Sequence, residues 1–175
     1  MNTLLTVALF SSVNLYFLKD SPNLLARITP EVQTDVITFY YSFSREDWNS
    51  RTMQSSDGYF DAVMVPPESL NVVGIYYTYE YNTMVRADDN KGMFYLFEVR
   101  KSPKMLMPFT MDDLDVILKQ ARKKITSQKH IDEAIALLDY VAGMLRVLPF
   151  KKDSSLDIRK KILESEVSDL RKLLP

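Results

Sequence analysis

Between residues 59 and 101 apolar residues alternate with polar ones or run in short blocks, and after residue 110 they recur every three or four positions. The first pattern predicts strands and the second predicts helices. Three strands are expected. "YFDAVMV" (59–65) stops at Pro66-Pro67, which cannot continue a central strand. "NVVGIYYTYEYNTMVR" (71–86) and "MFYLFEVRK" (93–101) flank "ADDNKG", a stretch with hairpin-turn chemistry. Three helices follow. Thr110 and Asp113 carry a capping-box signature ahead of an apolar stripe of Leu114, Ile117, Leu118, Ala121 and Ile125. Ile131, Ile135, Leu138, Val141 and Leu145 mark a second helix over about 129–147, which Pro149 ends. A third starts at Ser154 or Ser155 and runs to the C-terminus.

The N-terminal third is less clear-cut. Over residues 3–18, Leu5, Leu9, Val13 and Tyr16 keep helical spacing, while Val13, Leu15 and Phe17 alternate as in a strand. Helix is the preferred reading. "TPEVQTDVITFYYSF" (29–43) also reads as a helix, with Thr29 as N-cap, Pro30 in the first turn and Glu31 at the positive end of the dipole. Val32, Val36, Phe39, Tyr40 and Phe43 would be its apolar face. Residues 44–58 read as a loop. The expected fold is therefore α+β: a small antiparallel sheet over about 59–101, an early helical region and a helical C-terminal half. Residues 1–150 form the globular unit, and 151–175 form an amphipathic helix after the short basic linker "PFKKDSS".

Composition narrows the chemistry. At 46% hydrophobic and 26% charged, the 175-residue chain is ordinary globular material. A net charge of −1 gives no overall pull toward nucleic acid or membrane. The chain has no cysteine and a single histidine, His130, which removes thiolate zinc sites, cysteine nucleophiles and multi-histidine metal sites. The lack of cysteine fits the cytoplasm or another reducing compartment. Ser11, Ser12 and Asn14 interrupt the apolar N-terminus too early for a membrane span. No P-loop, dinucleotide fingerprint or nucleophile elbow is present.

Four tyrosines crowd "GIYYTYEYNTMV" (74–85). Strand alternation puts Val73, Ile75, Tyr77, Tyr79 and Tyr81 on one face and Gly74, Tyr76, Thr78 and Glu80 on the other. The first set reads as core. Pairing Val85 with Met93 across the turn would set Glu80 opposite Glu98. Like charges there are destabilising unless solvent, Arg100 and Lys101, or a divalent cation offsets them.

The order helix, strand with Asp61, strand, strand with "FEVRK", helix over about residues 30–126 resembles the core of the PD-(D/E)xK nucleases. That resemblance implies Asp61 and Glu98 as ligands of Mg²⁺ or Mn²⁺, Glu80 as a third, and Lys101 assisting the attacking water. Two features depart from it. Arg100, not lysine, stands two residues after Glu98, and alternation turns Asp61 away from Glu80 and Glu98.

The last helix carries the best functional signal. Leu156, Leu163 and Leu170 recur every seven residues, with Val167 and Leu174 between and beyond them. Such a stripe either packs on its own domain or pairs with another chain. The preferred reading is a non-catalytic adapter, assembly or regulatory protein. It would bind another protein, or a second copy of itself, through residues 154–174, using Leu163, Val167, Leu170 and Leu174. Trp48 is added as an interface anchor, although a tryptophan in "SREDWNSR" more often pins its loop to the core. The basic triplets at 122–124 and 159–161 offer a third, weaker reading as a nucleic-acid contact, set against the acidic residues interspersed with them.

Overall fold

A computed structural model describes residues 7–9, 12–101 and 104–174. Among them run ten strands and then three helices. The strands are β1 (Val7–Leu9), β2 (Val13–Phe17), β3 (Leu24–Ile28), β4 (Val36–Ser42), β5 (Trp48–Gln54), β6 (Phe60–Met64), β7 (Val72–Tyr81), β8 (Met84–Asp88), β9 (Tyr95–Lys101) and β10 (Lys104–Phe109). The helices are α1 (Met111–Ser127), α2 (Ile131–Val147) and α3 (Ser155–Lys172). The chain is α+β, with its helices in the C-terminal half.

All the strand pairings are antiparallel and make two sheets. One has the order β1-β2-β3-β6, and the other the order β10-β9-β7-β4-β5 with β8 also paired to β7. Side chains of β2, β3 and β6 meet Ile37, Phe39, Ile75, Tyr77 and Phe97 of the second sheet in one core. The other face of that second sheet, through Val72, Tyr76 and Leu96, packs with all three helices in another. The molecule is thus sheet on sheet on helices, and the middle sheet is covered on both sides.

The early helical region is corrected to strands. Residues 13–17 follow the alternating option, with Leu15 opposite both Ala8 and Ala26. Leu5 lies outside the described residues. In 29–43 the capping signature leads only into a bend, and "VITFYYS" is strand β4. β-Branched and aromatic residues prefer a pleated surface to a helix. Alternation then sends Ile37 and Phe39 into the sheet–sheet core while Tyr40 joins the helix side. The expected loop at 48–54 is strand β5, almost wholly polar and exposed because it is a sheet edge.

The register around the tyrosines is corrected too. The chain turns at Asn82-Thr83, both with positive φ (50° and 62°), so β7 pairs back on β8 through a two-residue loop. "ADDNKG" instead carries the chain from β8 to β9, and Val85 faces Glu80 rather than Met93.

The helices match expectation closely. Thr110 accepts from the Asp113 backbone N–H, and the Asp113 carboxylate accepts from the Thr110 N–H at 2.7 Å, a complete capping box. Ser154 caps α3 by accepting from the Asp157 N–H.

Candidate functional site

Helix α3 is tied down along its length. At its start the Leu156 N–H donates to the Gly92 carbonyl at 3.0 Å. Further along, Arg159 pairs with Asp115 of α1 at 3.4 Å and Arg122 of α1 with Glu166 at 2.7 Å. Near its end Arg171 pairs with Asp139 of α2 at 2.6 Å. Its heptad stripe faces inward. Leu163, Val167 and Leu170 are buried among α1 and α2, and Leu174 is partly buried against the same cluster. The residues expected to meet a partner therefore meet the chain's own helix layer.

A second apolar line runs along the outside of α3. Ile158, Ile162 and Leu173 are 56%, 50% and 66% exposed. Ile162 and Leu173 border a shallow groove of about 540 Å³ toward α1, with Arg122, Thr126 and Glu166 among its other walls. On α1 itself, Val116 is also exposed. Sequence reasoning passed over this line, although the spacing of Ile158 and Ile162 was visible, because the longer leucine repeat on the inner face dominated the pattern.

Trp48 is half-buried and acts as a pin. Its indole N–H donates to the Phe150 carbonyl at 2.8 Å, and its ring packs edge-on against Tyr76 and Phe94. Directly beneath, a Cβ at Gly74 would lie 2.9 Å from Pro149 Cβ and 3.2 Å from the Trp48 ring. The strand there has no room for a side chain.

The three carboxylates singled out with a metal do not converge. Asp61 lies on β6 of the other sheet, in a two-bond ion pair with Arg27 at 2.7 Å. Glu98 on β9 faces Val72 and Met107 and pairs with Arg100 at 3.1 Å. Glu80 is exposed near the far end of β7, opposite Val85. Lys101 closes β9, and its side chain lies outside the described residues. The geometry that the nuclease resemblance requires is not met: Asp61 lies in one sheet and the other two in the second, where Glu98 of β9 is level with Val72 at the start of β7 and Glu80 stands near the end of β7.

The basic triplets are largely neutralised. Arg122, Lys124, Arg159, Lys160 and Lys161 each hold a carboxylate within 4 Å. They form a solvated ion-pair face rather than a free cationic groove.

A part-buried polar cluster is built on Asp88. Tyr77 donates to one of its oxygens, and Tyr95 donates to the other at 2.6 Å. Ser12 Oγ sits 3.1 Å from the first oxygen and 2.7 Å from the Tyr95 hydroxyl. Burial, reinforced by the Asp88 hydrogen bond, pushes both tyrosines well above the ordinary range. A carboxylate surrounded by protonated hydroxyls is satisfied, so this cluster joins β7, β8, β9 and the N-terminal segment without offering a reactive group.

Among the described residues no helix is long and apolar enough to cross a membrane. No protein-family model matches the chain, and no curated protein matches it. Among solved structures, the chain is similar to the Br derivative of BhCBM56 at 10% identity and a TM-score of 0.41, over 53% of this chain and 98% of that one. Those values are too low for the likeness to bear on fold or function.

Proposed function

We propose that the protein is a non-catalytic binding protein that takes an amphipathic helix of a second protein against the outer face of α3. The observation that carries this reading is the exposed line of Ile158, Ile162 and Leu173 on a helix whose other face is already buried. From Ile158 to Leu173 the line extends about 22 Å, four turns of a docking helix. The groove toward α1 gives that helix a second wall, in the helix-in-groove mode of recognition. The dispersal of Asp61, Glu80 and Glu98 counts against the metal-dependent alternative built on those three residues.

The test uses the full chain with Ile162→Asp and Leu173→Asp together, both at exposed positions where folding is little affected. Proteins retained from the native host's lysate by the wild type and the variant are compared by mass spectrometry. The differing protein is then purified and titrated against each. Loss of affinity by tenfold or more in the variant, the usual effect of removing interface anchors, supports the reading. Equal affinity sinks it. Light scattering that shows a wild-type dimer and a monomeric variant replaces the second protein with a second copy of this chain.

A further inference from the structure

A sheet edge invites pairing with a further chain unless its residues discourage it. At the two ends of the larger sheet they do. β5 is polar and exposed through Asn49, Ser50, Arg51 and Thr52, and β10 carries Lys104 and Pro108. β8 has no such protection. Among the described residues it pairs with β7 alone, over Tyr77–Tyr81, whereas β9 pairs with β7 over Val72–Ile75 and leaves the other side of β8 open. Met84 and Val85 are 65% and 77% exposed, and Tyr81 across the loop is 40% exposed. Neither a proline nor a bulge interrupts the strand.

The register shows which backbone groups this edge presents. With φ positive at both Asn82 and Thr83, the loop is a type I′ turn that closes on a hydrogen-bonded pair, Tyr81 and Met84. Antiparallel pairs then alternate, so Met84 and Arg86 bond back to β7, while Val85 and Ala87 turn their N–H and C=O groups away from it. Those four groups are a template for one more strand. Tyr81, Met84 and Arg86 stand on one face of the hairpin, and Val85 and Ala87 on the other.

Charge selects the occupant. Arg86 makes no ion pair among the described residues and lies over the Tyr81 ring at 5.1 Å. The acid nearest to it in sequence, Asp88, is held by Tyr77, Tyr95 and Ser12. Two copies of β8 paired over their whole length would set Arg86 against Arg86, and like charges in that position are destabilising. An acidic residue in the same place is stabilising.

We propose that β8 takes an extended segment of a second protein as an added antiparallel strand, with apolar residues beside Met84 and Val85 and an acidic residue opposite Arg86. The surface is a sheet edge and not α3, so the proposal does not rest on the helix-docking reading.

The experiment is a titration of the isotope-labelled full chain with acetylated, amidated Ser-Val-Glu-Val-Leu-Ser, followed through the amide NMR signals. Antiparallel pairing sets the glutamate opposite Arg86, the valines opposite Ala87 and Val85, and the leucine opposite Met84. Saturable shifts centred on Val85 and Ala87, with slower hydrogen exchange at those two amides, are expected. Lysine in place of the glutamate should weaken binding about fivefold, and Arg86→Glu should reverse the preference between the two peptides. A peptide N-methylated at both valines keeps its side chains but loses the donors that the β8 carbonyls accept from, and it should not bind. The absence of saturable shifts at Val85 and Ala87, equal affinity of the two peptides for the wild type, or unchanged affinity of the N-methylated peptide overturns the proposal. Protection of the same amides that rises with protein concentration alone, together with a dimer in light scattering, overturns it in favour of a second copy of this chain.

Discussion

Tyr76, Tyr77 and Tyr95 hold their protons more tightly than tyrosine ordinarily does, and burial is the first cause for each. Tyr76 is pushed up to about 12, whereas an unfolded chain releases the same proton near pH 10. The neutral form is thus favoured by the fold. Below about pH 10 both states are protonated and this contribution to stability is whole. Above it the unfolded state loses protons that the folded state keeps, so stability falls as pH rises from about 10 to about 12. Ultraviolet difference absorbance should show these rings ionising together with the loss of the fold, not ahead of it. Rings that titrate smoothly near pH 10 with the fold intact would show that they are not sealed. The sequence already separated Tyr77 from Tyr76 by strand alternation. What it could not show is that the second face is buried as well, because that depends on helices more than thirty residues further on.

At the scale of elements, the helices were legible because each signal is local: a cap, a stripe and a terminating residue within one stretch of chain. The strands before residue 55 were not. In β4, Ile37 and Phe39 serve one core and Tyr40 the other, so a strand buried on both faces shows no clean alternation and passes for an amphipathic helix. Edge strand β5 fails for the opposite reason, having too few apolar residues to show any period. The candidate site suffered in the same way. Glu80 and Glu98 were set face to face by assigning the turn to the most turn-like residues, whereas the chain turns earlier, at Asn82-Thr83. Thr83 is a costly residue for that position, since a β-branched side chain at φ 62° crowds its own backbone. Asn-Gly is the favoured pair for such a loop. Thr83→Gly should therefore stabilise the protein by on the order of 0.5–1 kcal/mol, after the flexibility of glycine is set against the strain relieved. Urea denaturation measures it, and a lower midpoint would mean that the Thr83 hydroxyl, which donates to the Asn82 carbonyl, outweighs the strain.

For the molecule as a whole, the shared middle sheet decides how its parts depend on one another. β7 gives Val73, Ile75 and Tyr77 to the core between the sheets and Val72 and Tyr76 to the core under the helices. Neither core can open without exposing one face of the same strand. Helix α3 belongs to the second core through Leu156, Leu163, Val167 and Leu170, each buried. Each such side chain contributes about 1.5–3 kcal/mol when removed from water, large against a total stability of about 5–15 kcal/mol. Deleting residues 151–175 should therefore do more than remove a docking helix. It strips the helix-side core of Leu156, Leu163, Val167 and Leu170 and takes away the ion pairs to Glu166 and Arg171. The full chain should melt in a single transition whose midpoint agrees by near- and far-ultraviolet circular dichroism. The 1–150 fragment should show no cooperative melt and should bind a hydrophobic dye. A fragment that melts cooperatively near the full-length midpoint would mean that α3 rests on a finished domain, and its outer line would then have to be tested by deletion as well as by substitution.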